Sequence, residues 1–330
     1  MELFTEVARQ YSDFADYAGD SPCFEDWARQ VASDPEVQAW IAALPPIKQQ
    51  PNLVFAAARW HGVPAPGPYA GLRDALLADD GTIVATIRAR ATQTNEVGRL
   101  ATLTPFLAEV AAQEGAPLAL LEVGPSAGLC LYPDRWSYAW STAAGTVRAG
   151  VGPELPCEVT GALPAPVLAS GPPAVAWRGG VDLNPLDVTD ADAMAWLQNL
   201  VWPEQDERRE RLRTAVEVAR PDPPHLVAGD LLTELEDLVE EAAAHGPVVV
   251  FHTAVIAYLE PPDRERFHDL ATGLVADGRI RWVSNEGRRV LPRVTATASA
   301  DGPASGAFVL GVDGVARAFT HGHGAAMTVL

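Results

Sequence analysis

The amino-acid sequence predicts an α/β fold in which a helical N-terminal region precedes an open, mostly parallel sheet that ends in a β-hairpin. Three observations support this prediction. Apolar residues recur at helical spacing over the first 115 residues, apolar runs alternate with amphipathic stretches from residue 118 onward, and Asp313-Gly314 separates the last two apolar runs. We therefore expect a helical cap region at 1–115 and a sheet domain at 116–330, with an insertion at about 134–174.

The helical region is predicted from apolar stripes that repeat every three to four residues. Ser21-Pro22 has the residue types favoured at a helix N-cap and at the first helical position. Further helical patterns cover 53–60, 69–77 and 96–112. The stripes that open the chain are Phe4, Val7, Ala8, Tyr11, Phe14 and Ala15; Phe24, Trp27, Ala28 and Val31; and Val37, Trp40, Ile41 and Leu44.

The sheet domain is predicted from short apolar runs bounded by turn residues, which are typical of buried parallel strands. The insertion is rich in Gly, Pro and Ala, and the alternation of Trp136, Tyr138 and Trp140 favours a hairpin followed by a loop. The predicted strands are 118–123, 175–182, 225–230, 247–253, 279–284, 306–312 and 315–320, and the predicted helices begin after Asp190 and Pro203 and cover 231–245 and 263–276.

Composition limits the partners that this chain can have. The 330 residues include 43 acidic and 24 basic residues, for a net charge of −19. Such a charge repels phosphate backbones and anionic membrane surfaces, so we expect no nucleic acid and no membrane as partner. The basic run at 208–213 has acidic neighbours at helical spacing and is interpreted as a solvated helix face. The expected partner is a small-molecule substrate.

Cysteine usage and the N-terminus indicate the compartment. Cys23, Cys130 and Cys157 have spacings that fit neither a zinc site nor a disulfide framework, which indicates a reducing environment. Residues 1–6 lack the basic and apolar segments of a signal peptide, and no stretch is long and apolar enough to span a bilayer. We therefore expect a cytoplasmic protein.

The central motif follows the first predicted strand. The apolar run 119–121 ends in Glu122, and a turn of small residues containing Gly124 and Gly128 comes next. A Gly-rich turn at the carboxyl end of a parallel strand lets a ligand approach the backbone, because glycine has no Cβ. Two chemistries share this pattern. In the first, Gly124-x-Ser126-x-Gly128 is a nucleophile elbow with Ser126 as an acyl-transfer nucleophile. In the second, the segment 122–128 binds S-adenosylmethionine, because it resembles the first motif of methyltransferases that use this methyl donor.

The elbow is less consistent with the rest of the chain. An elbow needs a substantial helix behind the serine, strands upstream of it and a later histidine. Here the upstream hundred residues have a helical pattern, and Pro133 shortens the helix after Ser126. His252, His321 and His323 are candidates for the late histidine. We predict that Ser126 is not a nucleophile and that its hydroxyl caps the next helix or contacts a ligand.

The methyltransferase resemblance extends over residues 115–330, whose order of parts is similar to a Rossmann-like, class I methyltransferase domain. It implies S-adenosylmethionine as cofactor and a small molecule as methyl acceptor. In the first motif the cofactor-binding residues would be Glu122, Gly124, Ser126 and Gly128.

Further cofactor contacts are expected at the ends of the next two strands. Asp182 and Asn184 follow the second strand, where an acid would hold the ribose hydroxyls, and Asp230 follows the third, where it would face the adenine edge. Two features depart from the pattern. Ser126 replaces the middle glycine, and Asp182 lies 60 residues (182 − 122) beyond Glu122, whereas about 20 is usual in dinucleotide folds.

A polar run between two predicted helices is the candidate acceptor side. Gln93, Asn95 and Glu96 stand out in an otherwise amphipathic region. The acceptor must be positioned and, where necessary, deprotonated, so we expect the amides to position it and Glu96 to act as base. The alternative is that these residues only cap and anchor a helix. His252, at the end of the fourth strand, is either another candidate base or a hydrogen-bonded core histidine.

Four segments together resemble a bacterial family catalogued as domain of unknown function 2332: 92–96, 122–129, 182–185 and 202–205. The resemblance covers most of the chain and implies that the helical region belongs to the same unit, but it implies no activity. A non-catalytic protein that binds a nucleotide-like ligand therefore stays open as an alternative. His321-Gly322-His323 is interpreted as a surface pair, because no nearby spacing supplies further metal ligands.

Overall fold

The computed structural model describes residues 6–299 and 307–330. Phe4 of the first predicted stripe, residues 1–5 of the N-terminal segment and Gly306 of a predicted strand lie outside the described residues. The helices are α1 (Val7–Tyr17), α2 (Pro22–Val31), α3 (Pro35–Ala42), α4 (Pro51–Trp60), α5 (Tyr69–Leu77), α6 (Thr82–Ala89), α7 (Leu100–Glu114), α8 (Ala165–Ser170), α9 (Ala191–Asn199), α10 (Asp206–Ala219), α11 (Leu231–Ala243), α12 (Pro261–Ala276) and α13 (Pro292–Thr295).

The strands form one mixed, mostly parallel sheet. They are β1 (Leu118–Val123), β2 (Ser137–Thr142), β3 (Gly145–Gly150), β4 (Glu154–Thr160), β5 (Val175–Asp182), β6 (His225–Ala228), β7 (Val248–Thr253), β8 (Arg281–Gly287), β9 (Ala307–Val312), β10 (Val315–His321) and β11 (Ala326–Val329). Their order across the sheet is β3-β2-β4-β11-β10-β9-β8-β7-β1-β5-β6.

The described residues group into two compact units. One unit ends at Thr94 and includes Asp190–Arg213; the other comprises Asn95–Thr189 and the residues from Thr214 onward. The first unit contains the helices α1 to α6 and α9, and the second contains the sheet. The sequence pattern alone assigned residues 190–213 to the sheet domain, whereas the contacts group them with the N-terminal helices.

The helical unit is built around an aromatic cluster. Phe24 packs against Phe55 with ring centroids 5.0 Å apart, and Trp202 donates its indole N–H to Asn52 Oδ1 at 2.9 Å. Other members of the cluster are Tyr11, Phe14, Tyr17 and Trp27. Tryptophan and phenylalanine bury large apolar areas and pack edge to face, so this cluster anchors residues 202–205 to the first helices.

The N-terminus of α2 confirms the predicted cap. Ser21 Oγ accepts a hydrogen bond from the N–H of Phe24 at 3.2 Å, and Pro22 is the first helical residue. The carboxylate of Glu204 accepts hydrogen bonds from Ser21 Oγ and from the N–H of Cys23. A carboxylate is favourable at a helix N-terminus, where unpaired N–H groups carry partial positive charge. The segment 202–205 therefore has a structural role within the helical unit.

The centre of the sheet unit is a run of five parallel strands, β6-β5-β1-β7-β8. The chain passes from β1 to β5 and β6 on one side, then returns past β1 to β7 and β8 on the other side. Every residue of β1 and of β7 is buried, as expected for strands covered on both faces. The turns that follow β1 and β7 therefore leave the same edge of the sheet from adjacent strands.

The C-terminal hairpin is confirmed. β9 runs antiparallel to β8, and β10 pairs with β9 through the turn at Asp313-Gly314. Asp313 and Gly314 have φ values of 49° and 81°, which the tight turn between twisted strands requires. A further strand, β11, was not predicted; it is four residues long and pairs antiparallel with β10 and parallel with β4.

The insertion contains the predicted hairpin, β2 with β3, but it is more ordered than a hairpin followed by a loop. It also supplies β4, whose alternating burial is typical of a strand with one solvated face, and the short helix α8. Because β4 pairs with both β2 and β11, the insertion extends the same sheet rather than forming a separate lobe.

Helix α6 was also missed. Its sequence contains five β-branched residues, which lower helix propensity. Ile83 and Ile87 lie one helical turn apart and are both buried. Their burial stabilises the helix where local propensity does not.

Among the residues that the structure describes, none of the helices has the length and apolar character needed to cross a bilayer.

Candidate functional site

The turn after β1 has an unusual backbone conformation. Gly124, Ser126 and Gly128 have φ values of 67°, 54° and 69°, all in the left-handed region. Serine rarely adopts this conformation, and its cost must be met by other contacts of the turn. The N–H groups of the turn are all bound within the protein: Gly124 to Val181 O, Ser126 to Asp182 Oδ2, Gly128 to Pro125 O, and both Ala127 and Leu129 to Asn95 Oδ1, at 2.8 to 3.3 Å.

The two glycines are required by protein packing. A Cβ on Gly124 would lie 2.4 Å from Cγ1 of Val255, and a Cβ on Gly128 would lie 2.6 Å from Cγ of Pro224. The sequence-based expectation was that glycine is needed here so that a ligand can approach the backbone. The structure corrects that explanation, because protein side chains already occupy the space on the Cβ side of both residues.

Asn95 holds this turn in place. Its Nδ2 donates to the carbonyl oxygen of Pro125 at 2.7 Å, and its Oδ1 accepts from the N–H groups of Ala127 and Leu129. Asn95 therefore contacts the Gly-rich turn, but through bonds that stabilise the turn itself. Gln93 is partly buried and belongs to the helical unit, which ends at Thr94.

Glu122 is a buried carboxyl at the end of β1. The residue is 4% exposed, and its Oε2 has no hydrogen-bond partner within 6–299 and 307–330. Burial raises the pKa of Glu122 well above its ordinary value of 4.5, the nearby Asp182 raises it further, and Arg99 partly offsets both. An unpaired buried carboxyl oxygen costs free energy, and protonation of the carboxyl lowers that cost.

Asp182 links the end of β5 to the turn. Its Oδ2 accepts from the N–H of Ser126 and its Oδ1 accepts from the N–H of Asn184, both at 2.8 Å. The residue is partly exposed, and a carboxylate offers about four acceptor sites, so about two remain for a ligand. Asn184 is exposed. Asp230 is exposed and caps α11 by accepting from the N–H of Leu232 at 2.7 Å.

The hydroxyl of Ser126 has no histidine bonded to it among the described residues. Its Oγ is buried and has no hydrogen-bond partner in the described part of the chain. The element that follows is a short 3₁₀ helix, Leu129–Leu131, rather than the long helix that supports an elbow. The predicted capping of a helix by this hydroxyl is not observed, whereas its contact with a ligand stays a prediction.

His252 is a core residue with both ring nitrogens engaged. The indole N–H of Trp282 donates to Nε2 at 3.1 Å, so Nδ1 carries the proton and donates to Glu286 Oε1 at 2.7 Å. The residue is fully buried. Neither nitrogen is free to accept a proton from a substrate, because Nδ1 bonds to Glu286 and Nε2 accepts from Trp282.

Glu96 is paired with a histidine from the other end of the chain. The residue is 2% exposed; its Oε1 accepts from the N–H of Gly98 at 3.2 Å, and its Oε2 lies 3.0 Å from Nδ1 of His323. The first contact caps the short 3₁₀ helix Val97–Arg99, which is why α7 begins at Leu100 rather than at residue 96. Sequence reasoning missed this pair because the partners are 227 residues apart.

Arg99 connects the Glu96 segment to two strand ends. Its guanidinium donates to both oxygens of Thr253, the last residue of β7, at 3.0 and 2.7 Å. Its Nε donates to the carbonyl oxygen of Gly322, in the turn after β10, at 2.7 Å. Arg99 thus connects the end of β7 to the turn after β10, which carries His323.

Within the described residues, no cluster of three or more His, Cys, Asp or Glu side chains could hold a metal ion. What the fold and the site define is an α/β protein with a carboxylate-rich candidate ligand site at the carboxyl ends of its central strands. The chain belongs to the DUF2332 family, described as an uncharacterized protein conserved in bacteria, and the match covers residues 8–328. Searches among curated proteins and among solved structures give no match.

Proposed function

We propose that this protein binds S-adenosylmethionine at the carboxyl ends of β1 and β5 and transfers its methyl group to a small molecule. The observation that carries the proposal is the buried carboxyl oxygen of Glu122 just before the left-handed turn, which has no hydrogen-bond partner among the described residues. The methyl donor is a cation that carries an ammonium group, and an ammonium group donates charge-assisted hydrogen bonds to a carboxylate oxygen.

The order of the parallel strands supports this location. The run β6-β5-β1-β7-β8 has the order 3-2-1-4-5 that is found in doubly wound nucleotide-binding sheets. In such sheets ligands bind at the carboxyl ends of the strands, where the strand order reverses. Here the reversal lies between β1 and β7, next to the turn that follows Glu122.

The hydrogen bonds of the turn favour a ligand without phosphate. A pyrophosphate is normally bound by free N–H groups of the Gly-rich turn and of the helix that follows. In this chain the N–H groups of Gly124, Ser126, Ala127, Gly128 and Leu129 are all bound to protein oxygens. The groups that remain are carboxyl acceptors, which suit hydroxyl and ammonium groups. This chemistry matches S-adenosylmethionine better than a dinucleotide.

The residues that would hold the cofactor follow from these acceptors. Glu122 would take the ammonium group, Asp182 would accept from the ribose hydroxyls, and Ser126 Oγ, which is buried and unpaired among the described residues, would contact the ligand. The bound cofactor would supply an electrophilic methyl group. Asp230 and Asn184 stay candidate contacts at the adjacent strand ends.

Calorimetry tests the proposal directly. We expect S-adenosylmethionine and S-adenosylhomocysteine to bind and NAD not to bind. Glu122→Gln should weaken binding about tenfold or more, since it removes a charge-assisted hydrogen bond. Because burial raises the pKa of Glu122, a bound cation should also release a proton, which appears as a binding heat that depends on the ionisation enthalpy of the buffer.

The matched control is Asp187→Asn. Asp187 lies in the loop after β5, and within the described residues its carboxylate bonds to Thr189 alone. The affinity of this variant should equal that of the wild type. Absence of binding by the wild-type protein at millimolar methyl donor would refute the proposal.

A non-catalytic binding protein is the second candidate. It is favoured by the internal use of Asn95 and His252, whose polar groups stabilise the turn and the core. Incubation with methyl-labelled S-adenosylmethionine and a small-molecule extract distinguishes the two. Label transferred to a small molecule supports the enzyme, whereas binding without transfer supports the non-catalytic protein.

A further inference from the structure

We infer that His323, oriented by Glu96, is a general base for methyl acceptors that carry the proton to be removed on a hydroxyl or N–H group. The inference rests on the proposed function for the location of the methyl donor. The pair itself is a structural observation: Nδ1 of His323 lies 3.0 Å from Oε2 of Glu96. The side chain of Glu96 is 1% exposed and that of His323 is 33% exposed.

The carboxylate fixes the tautomer of the ring. An ionised carboxylate only accepts hydrogen bonds, so Nδ1 of His323 carries the proton and donates it to Glu96. The lone pair of a neutral ring is then on Nε2, which has no hydrogen-bond partner in the parts of the chain that are described. A buried carboxylate that orients a histidine in this way is a recurring arrangement in acid–base catalysis.

The position of the ring is fixed by the turn that carries it. Arg99 binds the carbonyl oxygen of Gly322, and a Cβ on Gly324 would lie 2.0 Å from the carbonyl oxygen of Gly98. The turn after β10 therefore packs tightly on the segment that begins with Glu96. The same arginine binds Thr253 at the carboxyl end of β7, so His323 is anchored at the edge of the sheet where the methyl donor is proposed to lie.

These contacts assign different roles to the polar residues around His323. Glu96 is too buried to take a proton from an acceptor, so it is a positioning residue. Asn95, its neighbour, holds the turn after β1. His321 lies close to His323, with ring centroids 5.6 Å apart, and its Nδ1 accepts a hydrogen bond from the N–H of His323 at 3.2 Å. The ring of His323 has Glu96 as its carboxylate partner and is partly exposed, and its Nε2 has no hydrogen-bond partner within the described residues.

The class of acceptor follows from the proton balance. The O–H or N–H bond of the acceptor breaks and its proton goes to Nε2 of His323. The acceptor atom forms the new bond to the methyl carbon, and the electrons of the carbon–sulfur bond stay on sulfur. The positive charge lost at sulfur is the charge gained by the imidazole. An acceptor that is already an anion or a free amine needs no such base.

The tautomer is measured by long-range ¹H–¹⁵N correlation NMR of the neutral imidazoles, with His323→Gln for assignment. We expect the Nδ1–H form for His323 in the wild type. In Glu96→Gln the amide oxygen can keep the bond to the N–H of Gly98, which directs the amide N–H₂ towards Nδ1 and should switch the ring to the Nε2–H form. His61→Gln, the control, should leave the Nδ1–H form of His323 unchanged. An Nε2–H form in the wild type overturns the inference.

Chemical modification tests the exposure of Nε2 and its closeness to the ligand. Diethyl pyrocarbonate should modify His323, and S-adenosylhomocysteine should slow this modification without slowing that of His61. If calorimetry shows no binding of S-adenosylhomocysteine, the proposed function is refuted. The tautomer of His323 is tested independently by the NMR experiment. If it binds and His323 is not protected, the assignment of His323 as base is overturned.

Discussion

Two buried carboxyls at the carboxyl edge of the sheet differ in how their oxygens are paired. Glu286, in β8, accepts three hydrogen bonds at Oε1, from Nδ1 of His252 and from the N–H groups of Val255 and Ile256, at 2.7 to 3.1 Å. Oε2 of Glu286 and Oε2 of Glu122, in β1, both lack a hydrogen-bond partner within the described residues, so the two groups differ in the three donors that Oε1 of Glu286 receives. Burial raises the pKa of Glu122. The two side chains are similarly buried, at 2% and 4% exposure.

The difference shows that burial alone does not assign a role. Glu286 ties the end of β8 to the residues after β7, and its donors keep those residues and His252 in place. Glu122 is close to Asp182, a group of like charge. A carboxyl that is well paired stabilises the fold, whereas one that is poorly paired stores free energy that a cationic ligand can recover.

The largest expected effect is at the well-paired carboxyl. Glu286→Ala should lower the free energy of unfolding by about 3–5 kcal/mol, because it leaves a buried imidazole N–H and two backbone N–H groups without an acceptor. Urea unfolding measures the loss. Glu286→Gln keeps an oxygen for these donors and should cost much less. A loss below about 1 kcal/mol for the alanine variant would show that these donors are not held as the structure indicates.

A smaller effect is expected at the turn that follows Glu122. Gly124→Ala places a Cβ 2.4 Å from a methyl group of Val255 at a φ of 67°. The left-handed backbone and the overpacking should together cost about 2–4 kcal/mol. In the Gly124→Ala variant, adding Val255→Ala should restore the stability lost to overpacking but not the stability lost to the left-handed backbone. A double-mutant cycle measures the coupling between the two substitutions. Strict additivity of the two changes would contradict the close contact.

The smallest expected effect is on the pH dependence of the free energy of unfolding, to which the buried Glu122 contributes. Folded Glu122 holds its proton to a higher pH than unfolded Glu122, so the free energy of unfolding should fall as pH rises above about 4.5, by at most about 1.4 kcal/mol per pH unit. Glu122→Gln should remove this contribution and be more stable than the wild type at neutral pH. The same substitution at the exposed Glu217 should leave the slope unchanged. Identical slopes for Glu122→Gln and the wild type would refute the assignment.

The sequence by itself determined the elements whose signal is local. Strands β1 and β5 have the predicted bounds, since continuous apolar runs between turn residues occur where a strand is buried on both faces. The same holds for the cap at Ser21, the N-cap at Asp190 and the hairpin at Asp313-Gly314, where residue type and backbone conformation are directly coupled. The fold class and the location of the central turn followed from these elements.

Tertiary structure decided which polar groups meet. Asn95 and Glu96 were singled out from a polar run, but only the folded chain shows that Asn95 binds the turn after β1 and that Glu96 binds His323. The β-branched helix α6 and the short strand β11 likewise depend on partners distant in the chain. The physical reason is the same in each case: burial and hydrogen bonding across long sequence separations outweigh local preference, and no local pattern encodes them.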